Sequence, residues 1–130
     1  MSASLPPPVP ACVVQAATDY SIPLRGFLSV MLQEGGRVGQ RVKNTDGSYD
    51  HGPMQINTRW VRVLSRKFDI TEEQITNDFC TNIRAGAYIL RYSINEAGGD
   101  FWEGIGYYHS HTPHLKTTYI TDVYNKSLSF

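Results

Sequence analysis

The sequence predicts one mainly α domain that contains a single small, irregular β-hairpin near residues 40–57. Apolar residues recur at helical spacing along most of the chain, glycine pairs and capping sequences separate these segments, and helical spacing disappears over residues 37–57. The chain has 130 residues, of which 41% are hydrophobic and 18% are charged. This length suits one hydrophobic core, so we expect a flexible segment over residues 1–10 and one domain over residues 11–130.

Two helices are predicted on either side of Pro23. The lead-in contains Pro6-Pro7-Pro8, which favours an extended, polyproline-like chain over a helix interior. The first helix presents one apolar face, made of Cys12, Val13, Ala16, Ala17 and Tyr20. The second helix begins at Pro23 and ends at Gly35-Gly36. Its apolar face consists of Leu24, Phe27, Leu28, Met31 and Leu32.

The hairpin and the remaining helices follow from local turn and capping signals. Asp46-Gly47 predicts a tight turn within residues 44–48, because glycine adopts positive φ at little cost. After the hairpin we expect a helix over residues 58–68, a short helix after the Thr71–Gln74 capping box, and a long helix that ends at Gly98-Gly99. A second capping box at Asp100–Glu103 begins another helix, and Leu115, Tyr119 and Val123 mark the last one.

Glu34 is the first candidate for chemistry, because it ends an apolar helix shortly before the glycine- and amide-rich segment Asp46–Asn57. Cleavage of a glycosidic bond needs one carboxylic acid held protonated in a poorly solvated place, with amide groups nearby to bind sugar. A solvated acid at a helix end is the alternative interpretation. Negative charge is mildly unfavourable at a helix C-terminus, however, so chance alone accounts poorly for this placement.

Three motifs resemble the lysozyme-like, SLT-type lytic transglycosylases, especially the small ones attached to bacterial secretion, conjugation and pilus systems. Glu34-Gly35 stands where that family usually has Glu-Ser. Residues 52–57, Gly-Pro-Met-Gln-Ile-Asn, are similar to the family's Gly-Leu-Met-Gln-Ile-Asn, and residues 106–110 are similar to its Gly-Ala-Tyr-Asn-Ala/Ser. The resemblance covers residues 11–125 and implies a lysozyme-like, α-rich fold.

The resemblance also implies a role for individual residues. Glu34 is expected to act as general acid and then general base, and the Tyr108 hydroxyl is expected to orient its carboxyl group. The substrate-binding residues are expected to be Gly52, Met54, Gln55, Asn57 and His109. Met54 also fits an ordinary packing role. His109 replaces the family's Asn and titrates near neutral pH, so either its charge tunes activity or it is simply a polar surface residue.

The implied reaction is lytic cleavage of peptidoglycan between N-acetylmuramic acid and N-acetylglucosamine, which leaves 1,6-anhydromuramic ends. No cofactor or metal is expected. A hydrolytic muramidase remains an alternative, with Asp46 or Asp50 as a second carboxylate. A non-catalytic glycan-binding module is a third interpretation, which the intact Glu34 disfavours.

Charge, hydropathy and cysteine content limit the partners and the compartment. The net charge is zero with His neutral, which argues against nucleic acid, and no apolar run is long enough for an integral membrane protein. We expect a monomer that binds peptidoglycan strands, serves a transport machine, and works in the periplasm or after export. Residue patterns alone leave Cys12 and Cys80 as free thiols or a disulfide. The resemblance favours the disulfide, and with it an oxidising compartment.

Overall fold

The computed structural model describes residues 8–130, so residues 1–7 of the predicted lead-in lie outside the described part of the chain. The described residues form seven helices and a small sheet, which confirms the predicted mainly α, lysozyme-like fold. The elements are, in order, α1 (Ala11–Asp19), α2 (Leu24–Glu34), β1 (Arg41–Lys43), β2 (Tyr49–His51), β3 (Ile56–Asn57), α3 (Thr58–Phe68), α4 (Glu72–Asn77), α5 (Phe79–Glu96), α6 (Phe101–His109) and α7 (Pro113–Ser127).

Helix ends follow the capping signals in the sequence. Gly35 adopts a left-handed conformation with φ of 60°, and its N–H donates to the Met31 carbonyl at the end of α2. Both hydrogen bonds of the predicted capping box form between Thr71 and Gln74 at the start of α4. At the start of α6 only half of the second predicted capping box forms: the side chain of Asp100 accepts from the Glu103 N–H, while the Glu103 carboxylate pairs with Lys116.

The predicted hairpin is part of a three-stranded antiparallel sheet with the strand order β1-β2-β3. Val42 pairs with Asp50 across the first ladder, and His51 pairs with Ile56 across the second. The third strand is only two residues long, which is too short for an alternating pattern to be visible in the sequence. The chain therefore reverses direction twice in the sheet and continues directly into α3.

The core forms around α5, which packs against α1, α4 and α6, while α2 packs against α7. A disulfide joins Cys12 to Cys80 with their Cα atoms 5.7 Å apart, so it ties α1 to the first turn of α5. Leu32 and Leu115 lie at the edges of their predicted apolar faces and remain 51% and 44% exposed. Within residues 8–130, no helix combines the length and apolarity needed to cross a membrane.

Buried polar side chains fasten the sheet to this core. Asn82 of α5 is fully buried; its amide nitrogen donates to the carbonyls of His51 and Ile75, and its Oδ1 accepts from the Met54 N–H at 2.8 Å. His51 is also fully buried, with Nδ1 at 2.9 Å from the Thr76 hydroxyl. Because each group is satisfied, these contacts fix the sheet relative to α5 and thus the loop opposite Glu34.

Candidate active site

A cleft of about 500 Å³ lies between the sheet and the surrounding helices, among them α2 and α6. Five of the predicted site residues line it, namely Glu34, Gln55, Asn57, Tyr108 and His109. The other lining residues are Asn44, Asp46, Ser48, Asp50, Ile56, Arg59, Trp60, Ile89, Tyr107, Ser110 and His111. The structure therefore brings together side chains from α2, the sheet and α6 around one carboxylic acid.

Glu34 is half-buried at the end of α2, and burial raises the pKa of its carboxyl group from 4.5 to about 7. A hydrogen bond from Tyr119 works against this increase, and the negative charge of Asp50 adds to it. A carboxylic acid with this pKa is largely protonated below neutral pH and is also able to accept a proton after giving its own away. These two properties are the ones that a general acid and base requires.

Tyr119, on α7, makes the hydrogen bond to Glu34 that the motif predicted for Tyr108. Its hydroxyl donates to Glu34 Oε2 at 2.5 Å, whereas the Tyr108 hydroxyl donates to the Met54 carbonyl at 2.9 Å. Burial raises the pKa of both phenols, so both remain protonated donors. The motif around Tyr108 thus supports the loop between β2 and β3, and α7 supplies the contact to the acid. Sequence reasoning placed Tyr119 on an apolar helix face; the one available signal was that a buried Tyr hydroxyl needs a partner.

Two glycines bring the end of α2 against the loop that follows β2. The Gly36 N–H donates to the Pro53 carbonyl, and a Cβ on Gly36 would lie 2.0 Å from the Gly52 carbonyl oxygen. Gly52 itself has a φ of 68°, and a Cβ there would meet the Asn82 amide at 2.3 Å. Gly52, which was expected to bind substrate, therefore packs between Gly36 and Asn82 of α5 and does not line the cleft.

Met54 lies in the core and does not line the cleft, which matches the packing role given as the alternative to substrate binding. Its side chain is fully buried and packs against Gly86 of α5. Gln55 does line the cleft and holds itself in place by donating to the Gly52 carbonyl at 3.0 Å. Asn57 lines the cleft as well, although its Nδ2 donates to Ser48 and Asp50 and its Oδ1 caps α3.

The two aspartates of the loop differ in what their carboxylates contact. Asp46 Oδ1 accepts from the N–H and hydroxyl of Ser48 and its Oδ2 pairs with Arg59, so hydrogen bonding lowers the pKa of Asp46. Asp50 Oδ1 accepts from the amides of Asn44 and Asn57, each at 3.1 Å. Asp46 therefore stabilises the turn, whereas Asp50 is held inside the cleft with its charge close enough to raise the pKa of Glu34.

His109 lies at the edge of the cleft and stacks on Tyr119, with ring centroids 4.7 Å apart and planes nearly parallel. The imidazole thus contacts a face of the ring whose hydroxyl binds Glu34. His109 is exposed, as expected for a polar surface residue, and it also lies next to the group that holds the acid. Within residues 8–130, no group of three or more His, Cys, Asp or Glu side chains is arranged to hold a metal ion.

Three known proteins with similar sequences come from Salmonella, Escherichia and Shigella. Invasion protein IagB of Salmonella typhimurium is 33% identical over 102 residues, which are 78% of this chain and 62% of that protein. X polypeptide of Escherichia coli is 31% identical over 100 residues, 76% and 58% of the two chains. Protein IpgF of Shigella flexneri is 29% identical over 122 residues, 90% and 79% of the two chains.

The match to IagB thus spans a little less than two thirds of that protein, and the match to X polypeptide a smaller share. A family match covers nearly all of the chain described here. Residues 11–126 match the family model of the transglycosylase SLT domain, a stretch that includes Glu34, the loop facing it and Tyr119. The chain therefore belongs to the transglycosylase SLT domain family.

Proposed function

We propose that the chain is a peptidoglycan lytic transglycosylase in which Glu34 acts first as acid and then as base. The observation that carries this proposal is the Glu34 carboxyl group, which has a pKa near 7 and receives a hydrogen bond from Tyr119 inside a sugar-sized cleft. Membership of the SLT family supports the substrate, a strand of alternating N-acetylglucosamine and N-acetylmuramic acid.

The reaction proceeds without water. Protonated Glu34 gives its proton to the oxygen that links C1 of N-acetylmuramic acid to C4 of N-acetylglucosamine, and this C–O bond breaks. The N-acetyl oxygen of the muramic acid stabilises the positive charge at C1 from within the substrate. Glu34, now a carboxylate, takes the proton from the muramyl 6-hydroxyl, whose oxygen bonds to C1 and closes a 1,6-anhydro ring. In this mechanism Gln55, which lines the cleft, holds the sugar through its amide during both steps.

A hydrolytic muramidase is the second candidate, and Asp50 is the observation that favours it. Two amides hold this carboxylate in the cleft on the sheet side, and its charge raises the pKa of Glu34. A retaining glycosidase uses such a second carboxylate to stabilise or trap the cationic sugar before water attacks. The same aspartate in a transglycosylase would only add electrostatic stabilisation to that of the N-acetyl group.

Product mass and three amide variants decide between the two reactions. Glu34→Gln should abolish clearing of a peptidoglycan gel, with a loss of at least ~10² in rate, because no other proton donor is proposed. Asp50→Asn should keep most activity if the N-acetyl group is the nucleophile, and should fail nearly as badly as Glu34→Gln in a muramidase. Asp46→Asn is the matched control, since that carboxylate serves the turn. Muropeptides ending in anhydro groups, one water lighter than hydrolysed ends, support transglycosylation.

We further propose that the protein acts outside the cytoplasm, as a monomer that opens the wall locally for a transport machine. The disulfide between Cys12 and Cys80 supports an oxidising compartment, and the name of the Salmonella relative, an invasion protein, is the support for a role beyond general wall turnover. Fractionation of cells that make the full-length protein tests the location, and light scattering tests the monomer. Recovery of the protein in the cytoplasm with two free thiols would contradict the first part.

A further inference from the structure

The Glu34 carboxyl group lies between two cavities. Besides the 500 Å³ cleft on the sheet side, a second cavity of about 260 Å³ opens between α2 and α7. Glu34 and His109 line both cavities, so the two cavities meet at the acid, which divides the site into two halves. We name the second half the α7 compartment; it is lined by Gln33, Glu34, His109, Leu115, Thr118, Tyr119 and Asp122.

The position of Asp50 indicates which cavity binds the muramyl ring and which binds the leaving N-acetylglucosamine. A glycosidic oxygen placed at Glu34 has one sugar on each side, and positive charge develops only on the sugar that keeps C1. Asp50 lines the sheet-side cleft and not the α7 compartment, so the negative charge favours the cationic muramyl ring on the sheet side. The leaving N-acetylglucosamine, and the part of the strand attached to it, then enter the α7 compartment.

The outer wall of this compartment is one face of α7, formed by Leu115, Thr118 and Asp122 at helical spacing. Asp122 is half-buried, and within residues 8–130 its carboxylate takes part in no hydrogen bond or ion pair. The cation one turn further on, Lys126, donates instead to Gln33 Oε1 at 2.7 Å. A carboxylate in this position attracts a cation from the bound strand, beside the exposed alkyl surface of Leu115.

We propose that the α7 compartment is a specificity site in which Asp122 binds a primary ammonium group carried on the leaving-group side of the strand. Two sources supply this chemistry in a cell wall: the free amine of a diamino acid in the stem peptide, and the amine of a de-N-acetylated glucosamine. Leu115 favours the peptide as the source, because the alkyl side chain that carries the amine of a diamino acid would pack on the exposed Leu115 side chain. The proposal rests on the function proposed above and adds the recognition of a charged group to it.

The experiment compares native peptidoglycan strands with strands whose free amines have been acetylated, using wild-type protein and the Asp122→Asn variant. Acetylation should raise the KM of the wild type about two- to fivefold, which corresponds to loss of one partly solvated ion pair. The Asp122→Asn variant should have this raised KM on both substrates, with kcat unchanged. Strands from which an amidase has removed the peptides distinguish the two sources. If the bound amine belongs to the peptide, wild type and Asp122→Asn should have the same KM on these strands.

Asp69→Asn is the control for net charge, because Asp69 is exposed at the end of α3, away from both cavities, in a left-handed conformation that Asn also adopts. Through net charge alone, removal of a carboxylate should increase the affinity for an anionic polymer such as peptidoglycan. A lower affinity of Asp122→Asn would therefore be opposite to the general effect of net charge. An equal acetylation effect in wild type and Asp122→Asn would overturn the inference while leaving the proposed function intact. A wild type that cleaves no strand at all would overturn both.

Discussion

At the scale of single residues, the site depends on the opposing effects that the surroundings of Glu34 have on the pKa of its carboxyl group. Burial favours the protonated form of Glu34, while the hydroxyl of Tyr119 favours the ionised form, and the balance leaves the pKa near 7. The acid can therefore work in both directions near neutral pH. Activity that needs protonated Glu34 at the start should fall as pH rises through about 7.

Removal of the Tyr119 hydroxyl should shift the pH at which activity falls. The Tyr119→Phe variant loses the hydrogen bond that lowers the Glu34 pKa, so the fall in kcat/KM should shift to higher pH. kcat should also drop, by about tenfold, because the carboxyl group is no longer held in one orientation. The measurement is kcat/KM against pH for wild type, Tyr119→Phe and Tyr108→Phe.

Tyr108→Phe is the matched control, since its hydroxyl donates to the Met54 carbonyl and not to the acid. Its profile should keep the wild-type position even if the rate is lower. A shifted limb in Tyr108→Phe together with an unshifted one in Tyr119→Phe would return the orienting role to Tyr108. The sequence motif could identify Tyr108 but not Tyr119, because Tyr119 is 85 positions from Glu34 and meets it only through helix packing.

At the scale of secondary structure elements, the helices were predictable and their mutual placement was not. Caps and glycines act over a few residues, so the start of α4 at Thr71 and the end of α2 at Gly35 can be read directly. The sheet has a two-residue third strand, and its position depends on Asn82 in a helix that begins some twenty residues later. Motif spacing predicted that the loop faces Glu34, and the buried amide of Asn82 shows how it is held there.

Asn82→Ala should therefore release the sheet from α5. Three buried backbone groups, on His51, Met54 and Ile75, would lose a partner, and each unsatisfied group costs about 1–3 kcal/mol. We expect a loss of roughly 3 kcal/mol or more in the free energy of unfolding, measured by urea denaturation. Catalytic activity should fall as well, because the loop opposite Glu34 loses its support.

Asn95→Ala is the control for this change, as Asn95 lies on the exposed end of the same helix. Its stability should stay within about 0.5 kcal/mol of the wild type. Equal stabilities of the Asn82 and Asn95 variants would mean that water replaces the buried amide at no cost and that the sheet is fixed by other contacts.

At the scale of the whole molecule, two buried titratable groups make stability depend on pH in opposite directions. Burial raises the pKa of Glu34 and lowers that of His51, whose side chain projects from β2 into the core. The folded protein thus binds more protons than the unfolded chain at Glu34 and fewer at His51. On acidification below neutral pH, the first group stabilises the fold and the second destabilises it.

The cost of keeping an acid half-buried should be visible when Glu34 is replaced by its neutral analogue. Above pH 7 the folded wild type holds an ionised Glu34 in an environment that favours the protonated form, whereas Glu34→Gln carries no charge and keeps an acceptor for Tyr119. The shift from 4.5 to about 7 sets an upper limit of about 3 kcal/mol, which partial exposure reduces. The inactive variant should therefore be the more stable protein at pH 8, by on the order of 1–2 kcal/mol.

The pH dependence of that difference is the decisive measurement. A group whose pKa is raised on folding contributes its full stabilisation below the unfolded value of 4.5 and loses it as pH rises through about 7. Urea denaturation of both proteins between pH 4 and pH 8 should show that the free energy of unfolding of Glu34→Gln increases relative to that of the wild type as the pH rises. The His51 contribution is common to both proteins, so it cancels in the difference. A difference that stays constant with pH would mean that the Glu34 carboxyl group has an ordinary pKa in the folded protein, and the acid–base role proposed for it would lose its physical basis.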